Sequence, residues 1–135
     1  MPSELTTGFH IVADQPDERQ LQHLAQDRGW GFSAIDLSDV RNKRELLHLL
    51  ATRLNFPAYF GANWDALADM LGDLSWLPAQ GQVILISGAE GLRDRAPAVL
   101  ATLLDILRER DQQRQRDSRI KPLLIVMQQK DLEAE

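Results

Sequence analysis

Three aspartates at helical spacing are the residues of this sequence best placed to do chemistry. Asp65, Asp69 and Asp73 lie at i, i+4 and i+8, so that a rotation of about 100° per residue gathers them near one face of a helix. No Lys or Arg lies between Arg53 and Arg93, and the four acids of this span account for most of the chain's net charge of −5. Carboxylates gathered without neighbouring cations indicate a positively charged partner.

The same carboxylates leave two other interpretations open. Asp65 and Asp69 could form an acid–base pair or hold a divalent metal ion. All three aspartates could also be the solvated face of an amphipathic helix. The turn Tyr59-Phe60-Gly61-Ala62-Asn63 directly precedes the acids and sets aromatic rings beside them. Aromatic residues next to unpaired charges favour the centre of a protein interface.

A short helix must position these acids. It is predicted to begin after Asn63, whose side chain can cap the first turn. Four residues at i, i+3, i+4 and i+7 predict its buried face, roughly opposite the acids: Trp64, Leu67, Ala68 and Leu71. Like charges at i, i+4 destabilise a helix by a few tenths of a kcal/mol per pair, roughly. Asp65 offsets part of that destabilisation, because it lies in the first turn, near the positive end of the helix dipole.

The rest of the chain alternates short apolar runs with segments of helical period. Four runs predict strands: Phe9–Ala13, Gly31–Leu37, Gln82–Ser87 and Leu123–Met127. The last two are continuously apolar, which is typical of strands buried on both faces of a parallel sheet. This alternation predicts an α/β fold with a small parallel sheet packed with helices.

Helix termini are indicated by capping residues. Asp14 is predicted to cap the first helix and Gly29 to end it. A capping box of Asn42 and Glu45 opens the second helix, and Pro97 opens the long last one. No linker divides the chain, so residues 1–135 are predicted to form a single domain.

Composition excludes several classes of protein. The 135 residues contain no cysteine, which excludes disulfides, thiolate catalysis and zinc–thiolate sites. Met1–Phe9 has no features of a secretion signal, and no apolar run approaches the roughly 20 residues of a membrane span. We therefore expect a soluble, cytoplasmic protein. The pI near 5.2 argues against direct nucleic-acid binding.

Two further groups of side chains are predicted to be structural or solvated rather than part of a functional site. The three histidines (His10, His23 and His48) have no carboxylate or Ser partner at a telling spacing. Five arginines near the end of the long helix are predicted to form a solvated face: Arg108, Arg110, Arg114, Arg116 and Arg119. No metal or cofactor is expected.

The segment from Tyr59 to Leu71 resembles the signature of the barstar family of intracellular ribonuclease inhibitors. The shared pattern is aromatic-aromatic-Gly-x-Asn-x-Asp-Ala-Leu-x-Asp-x-Leu. A looser resemblance runs from about Ala34 to Gln128. It implies a core over residues 31–128 with three strands, and an N-terminal strand–helix extension over residues 1–30.

The resemblance implies a mechanism and a set of partner-binding residues. Members of the family bind a basic ribonuclease by placing an acidic helix in its active site, where the carboxylates occupy phosphate positions. This implies a stoichiometric inhibitor rather than an enzyme. The sequence leaves the oligomeric state open and favours a monomer. The implied partner-binding residues are Tyr59, Phe60, Gly61, Asn63, Asp65, Asp69, Asp73 and Glu109. Asp69 is expected to matter most.

Two departures from the family pattern affect the identity of the target. Ala68 stands where the family often has Trp, and Phe60 replaces a second Tyr. They leave open a second hypothesis, in which the same fold binds a basic protein other than a ribonuclease. A third hypothesis, an enzyme that uses Asp65 and Asp69, predicts turnover or stabilisation by divalent metals.

Overall fold

One parallel sheet organises the molecule. The structure is a computed structural model that describes residues 7–132, so the ends of the predicted domain, including most of Met1–Phe9, lie outside the described residues. Its four strands are β1 (Gly8–Val12), β2 (Gly31–Asp36), β3 (Gln82–Ser87) and β4 (Leu123–Gln128). All neighbouring strands are parallel, in the order β1-β4-β3-β2. The predicted α/β fold is confirmed, with each predicted strand placed to within about one residue.

Within residues 7–132, five α-helices connect and cover these strands. They are α1 (Glu18–Arg28), α2 (Lys43–Leu54), α3 (Trp64–Gly72), α4 (Ala89–Arg95) and α5 (Pro97–Arg116). The predicted caps of α2 and α3 are present. The Asn42 side chain accepts a hydrogen bond from the Glu45 N–H (2.9 Å), and the Asn63 side chain accepts one from the Ala66 N–H (2.7 Å).

The predicted cap of α1 is wrong by three residues. Asp17, not Asp14, accepts the capping hydrogen bond, from the Gln20 N–H at 3.2 Å. Pro16 disfavours helical backbone at the residue before it, so the helix cannot begin at Asp14. The other end is as predicted, because Gly29 adopts the left-handed conformation (φ 69°) that ends a helix.

Helices cover both faces of the sheet. One face packs against α2, α3, α4 and α5 through a large apolar cluster that includes Ile84 and Ile125. The alternate residues of the same strands, among them Val83 and Leu124, meet α1 on the other face. The near-continuous apolar composition of β3 and β4 is thus explained by burial on both faces.

The large cluster orients α3. Leu67 and Leu71 are buried as predicted, but Trp64 and Ala68 are only half-buried and Met70 is buried in their place. The reason is the segment after α3, which folds back over the helix. Its Trp76 donates a hydrogen bond from Nε1 to the Met70 carbonyl (2.8 Å). The buried face is therefore rotated slightly from the predicted one.

Candidate protein-binding site

The first two aspartates of α3 lie on the solvent side of the helix. Asp65 and Asp69 are both exposed, while Leu67 between them is fully buried. Within residues 7–132 none of the three predicted acids takes part in an ion pair. The carboxylates of Asp65 and Asp69 are therefore available to an external cation.

The aromatic turn before α3 presents one ring and buries the other. Tyr59 is 72% exposed. Phe60 is half-buried, with its ring 4.9 Å from that of Phe56 in an edge-on contact. Ala62 has positive φ (51°), a conformation that non-glycine residues adopt rarely and at a cost. The turn thus brings the chain sharply into α3 and leaves Tyr59 on a cleft that Asp69 also lines.

Asp73 does not continue the acidic face, so its predicted position on the helix is wrong. The helix ends at Gly72, and Asp73 has extended backbone (φ −121°, ψ 106°). Its carboxylate accepts a hydrogen bond from the Ser75 N–H at 2.9 Å. Gly is a poor helix former, and an aspartate that bonds to nearby backbone competes with the helix. Hydrogen bonds from the Ser75 backbone and hydroxyl lower the pKa of Asp73.

A cleft of about 500 Å³ joins the turn, the second half of α3 and α5. It brings together five of the predicted site residues: Tyr59, Phe60, Gly61, Asp69 and Asp73. Asn63, Asp65 and Glu109 do not line it. Asn63 caps α3 and has a structural role there, Asp65 is exposed in the first turn of α3, and Glu109 is exposed on α5.

Two arginines of α5 reach the end of α3, which contradicts their prediction as solvated side chains. Arg114 donates a hydrogen bond from Nη1 to the Leu71 carbonyl (2.7 Å), and burial lowers its pKa against the opposing effect of Asp111. Arg110 lines the cleft and packs against Gly72, where an added Cβ would lie 3.0 Å from its Nη1. Tertiary packing thus brings cations to a segment that has none in sequence.

This half of the site could not be found by sequence reasoning. Residues 71 and 114 are 43 positions apart, and no spacing rule relates them. A weak signal exists in Gly72, since a glycine inside an amphipathic helix often marks a close packing contact. The end of α5 mixes Arg, Asp and Gln, a composition that predicts a solvated helix face, so it gave no indication of the contact with α3.

No three His, Cys, Asp or Glu side chains of residues 7–132 come together as metal ligands would. None of the described helices has the length and apolar character needed to cross a membrane.

Comparison with known protein families finds a match for most of the chain. The family model described as Barstar (barnase inhibitor) matches residues 30–128. No curated protein matches the chain. The matched range runs from just before β2 to the end of β4 and includes every predicted site residue, whereas β1 and α1 lie before it.

Proposed function

The chain belongs to the barstar family, and from that premise we propose that it is a stoichiometric, non-enzymatic inhibitor of a basic ribonuclease. One observation carries the proposal. Asp65 and Asp69 are exposed on α3 and make no ion pair with the described chain, and Asp69 lines one cleft with the exposed Tyr59.

The mechanism that follows is occlusion of the active site. A ribonuclease that binds RNA carries cationic side chains where the phosphates sit, and the two carboxylates of α3 meet those cations in place of phosphates. Opposite potentials also steer the two proteins together, which can raise the association rate by roughly 10–10³-fold. Asp69 is central because it combines an exposed position on the rigid helix with the cleft beside it.

The other site residues support or extend this contact. Asn63 caps α3 and also donates a hydrogen bond to the Gly61 carbonyl (3.4 Å), so the cap and the turn together hold the acids in position. Tyr59 supplies an aromatic contact, of the kind enriched at the energetic centres of interfaces. Phe60 and Asp73 border the cleft, and Glu109 adds negative charge on the exposed side of α5. A typical complex of this kind buries about 1,600 Å² in total.

We place this inhibition in the cytoplasm, where an active ribonuclease would threaten the cell's own RNA. The absence of cysteine is compatible with that reducing compartment. The interaction needs no cofactor, since carboxylates and aromatic rings perform it.

The test is whether this protein, used as the full chain, inhibits barnase, which the family description names. Any small basic ribonuclease encoded beside its gene is tested in the same way. Cleavage of a fluorogenic RNA should fall to zero at one equivalent of inhibitor. Asp69→Ala should weaken binding by about 2–5 kcal/mol, or about 30- to 5,000-fold. That range is known partly from ribonuclease–inhibitor pairs of this family.

Asp27→Ala is the matched control. Asp27 is exposed on α1, on the other side of the sheet, and its removal changes the net charge equally. If the Asp69→Ala variant inhibits the ribonuclease as well as the Asp27→Ala variant does, α3 is not the inhibitory element.

A second candidate is a module that binds a different basic protein. Ala68 favours it, because this half-buried position on α3 offers no aromatic ring where the family often has Trp. This candidate predicts no inhibition of any ribonuclease tested, together with binding to another basic protein that Asp69→Ala abolishes.

A further inference from the structure

We infer that Arg110 determines which ribonuclease this site accepts, by binding a carboxylate that the target presents beside its cationic centre. The inference rests on the proposed function and deepens it. It predicts that the binding surface of the target carries both charges: cations that meet Asp65 and Asp69, and an acidic side chain that meets Arg110.

Arg110 is placed in the cleft as a group for recognition. It shares the cleft with Asp69 and Asp73, yet it forms no ion pair with any residue of 7–132. Its Nη1 donates to the Gln113 side chain at 2.7 Å. Its Nε is enclosed without a hydrogen-bond partner, and its Nη2 makes no hydrogen bond to the described chain.

Arg110 and Arg114 differ in a way that separates recognition from structure. Arg114 donates a hydrogen bond from Nη1 to the Leu71 carbonyl and so holds the end of α3. Arg110 makes no hydrogen bond to α3. It contacts Gly72, where the missing side chain lets the guanidinium lie against the helix. The helix therefore accommodates Arg110 without a hydrogen bond to its guanidinium.

A bound target must then satisfy this guanidinium. A purely cationic surface closing over the cleft would bury a like charge and leave the free donors of Arg110 unpaired, and each is unfavourable. A carboxylate there would instead form a charge-assisted hydrogen bond with the planar guanidinium. The same side chain thus favours one class of target and rejects others.

The test is the dissociation constant of the complex with barnase, or with another basic ribonuclease that the wild-type chain inhibits, at constant ionic strength. Arg110→Gln should weaken binding about 10- to 100-fold, the range expected for a hydrogen bond between charged groups. If Arg110 only diluted the negative potential of α3, its removal would tighten binding to a basic partner. Unchanged or tighter binding therefore overturns the inference.

Arg108→Gln is the control for net charge, since Arg108 is exposed on α5 and does not line the cleft. It should bind slightly more tightly than the wild type or equally. Gly72→Ala displaces the Arg110 guanidinium without a change of charge, so it should also weaken binding. It supplies the test if Arg110→Gln does not fold.

A double-mutant cycle locates the partner group. Each Asp and Glu bordering the ribonuclease's cationic site is replaced by its amide and combined with Arg110→Gln. One of them should couple to Arg110, and the absence of coupling at all of them overturns the inference. Failure of the wild-type chain to inhibit any ribonuclease is a different result, since it removes the proposed function and this inference with it.

Discussion

The two ends of α3 carry opposite charge environments. At the beginning, Asp65 stands in the first turn after the Asn63 cap, and the cation packed there is Lys43, 5.7 Å from the centre of the Trp64 ring. At the end, Arg110 and Arg114 of α5 lie against Leu71 and Gly72. Asp65 at the start and the two arginines at the end suit the helix dipole, which favours anions at the start of a helix and cations at its end. Asp65 is therefore stabilised at the start of the helix, makes no ion pair within residues 7–132 and remains available for binding.

The largest expected difference concerns Asp69 and Asp73. Asp69→Ala should reduce the binding free energy by about 2–5 kcal/mol, because Asp69 is an unpaired carboxylate on the rigid helix. Asp73 lies beyond the helix and already bonds to Ser75, so Asp73→Ala should lose less than about 1 kcal/mol. Calorimetric titration of both variants with the inhibited ribonuclease measures the difference. Equal losses would mean that the helix end does not separate the two acids.

The next effect concerns the anchoring of the helix end. Arg114→Ala removes the hydrogen bond to the Leu71 carbonyl and the packing of a half-buried side chain. We expect a loss of about 1–3 kcal/mol in the free energy of unfolding, measured with denaturant. Arg116→Ala, an exposed arginine of the same helix, is the control and should change stability by less than about 0.5 kcal/mol. If the two variants are equally stable, Arg114 does not anchor α3.

A smaller effect is expected at the other end of the helix. Asn63→Ala removes the cap that accepts the Ala66 N–H, and should cost about 1 kcal/mol of stability. It should also weaken ribonuclease binding, because the acids follow directly from this cap. Asn63→Asp keeps a capping oxygen and should restore stability. If Asn63→Asp does not restore stability, the stability lost in Asn63→Ala has a cause other than the missing cap.

The smallest effect concerns pH and Asp73. Its pKa is lower in the folded chain than the value of about 3.9 in an unfolded one, because Ser75 bonds to the ionised form. The carboxylate therefore contributes stability above about pH 4, and this contribution is lost as the pH falls through the folded pKa. Thermal melts of wild type and Asp73→Ala should converge in acid. Melts that stay equally separated down to about pH 2 would contradict this assignment.

Sequence reasoning succeeded for elements whose signals are local. The strands were placed to within about one residue because β-branched and leucine runs bounded by turns identify them. The Asn42 and Asn63 caps were predicted because capping joins residues only three apart. The seven-residue helix α4 was not predicted, since it is short and begins at the left-handed Gly88 with no side-chain cap.

The candidate site was predicted in part. Exposure of Asp65, Asp69 and Tyr59 followed from the helical period and the turn. The end of the helix at Gly72 was missed, because the i, i+8 spacing of Asp73 suits a longer helix as well as a broken one. The burial of Met70 was missed because it depends on where Trp76 returns to the helix.

By itself the sequence determined the α/β fold, the start of α3 and the acids that this helix exposes, since periodicity and capping act between near neighbours. Only the tertiary structure decided that Arg110 and Arg114 lie at the end of the same helix. The physical reason is that α3 and α5 meet through a shared apolar core, and this packing brings together side chains that no local interaction relates.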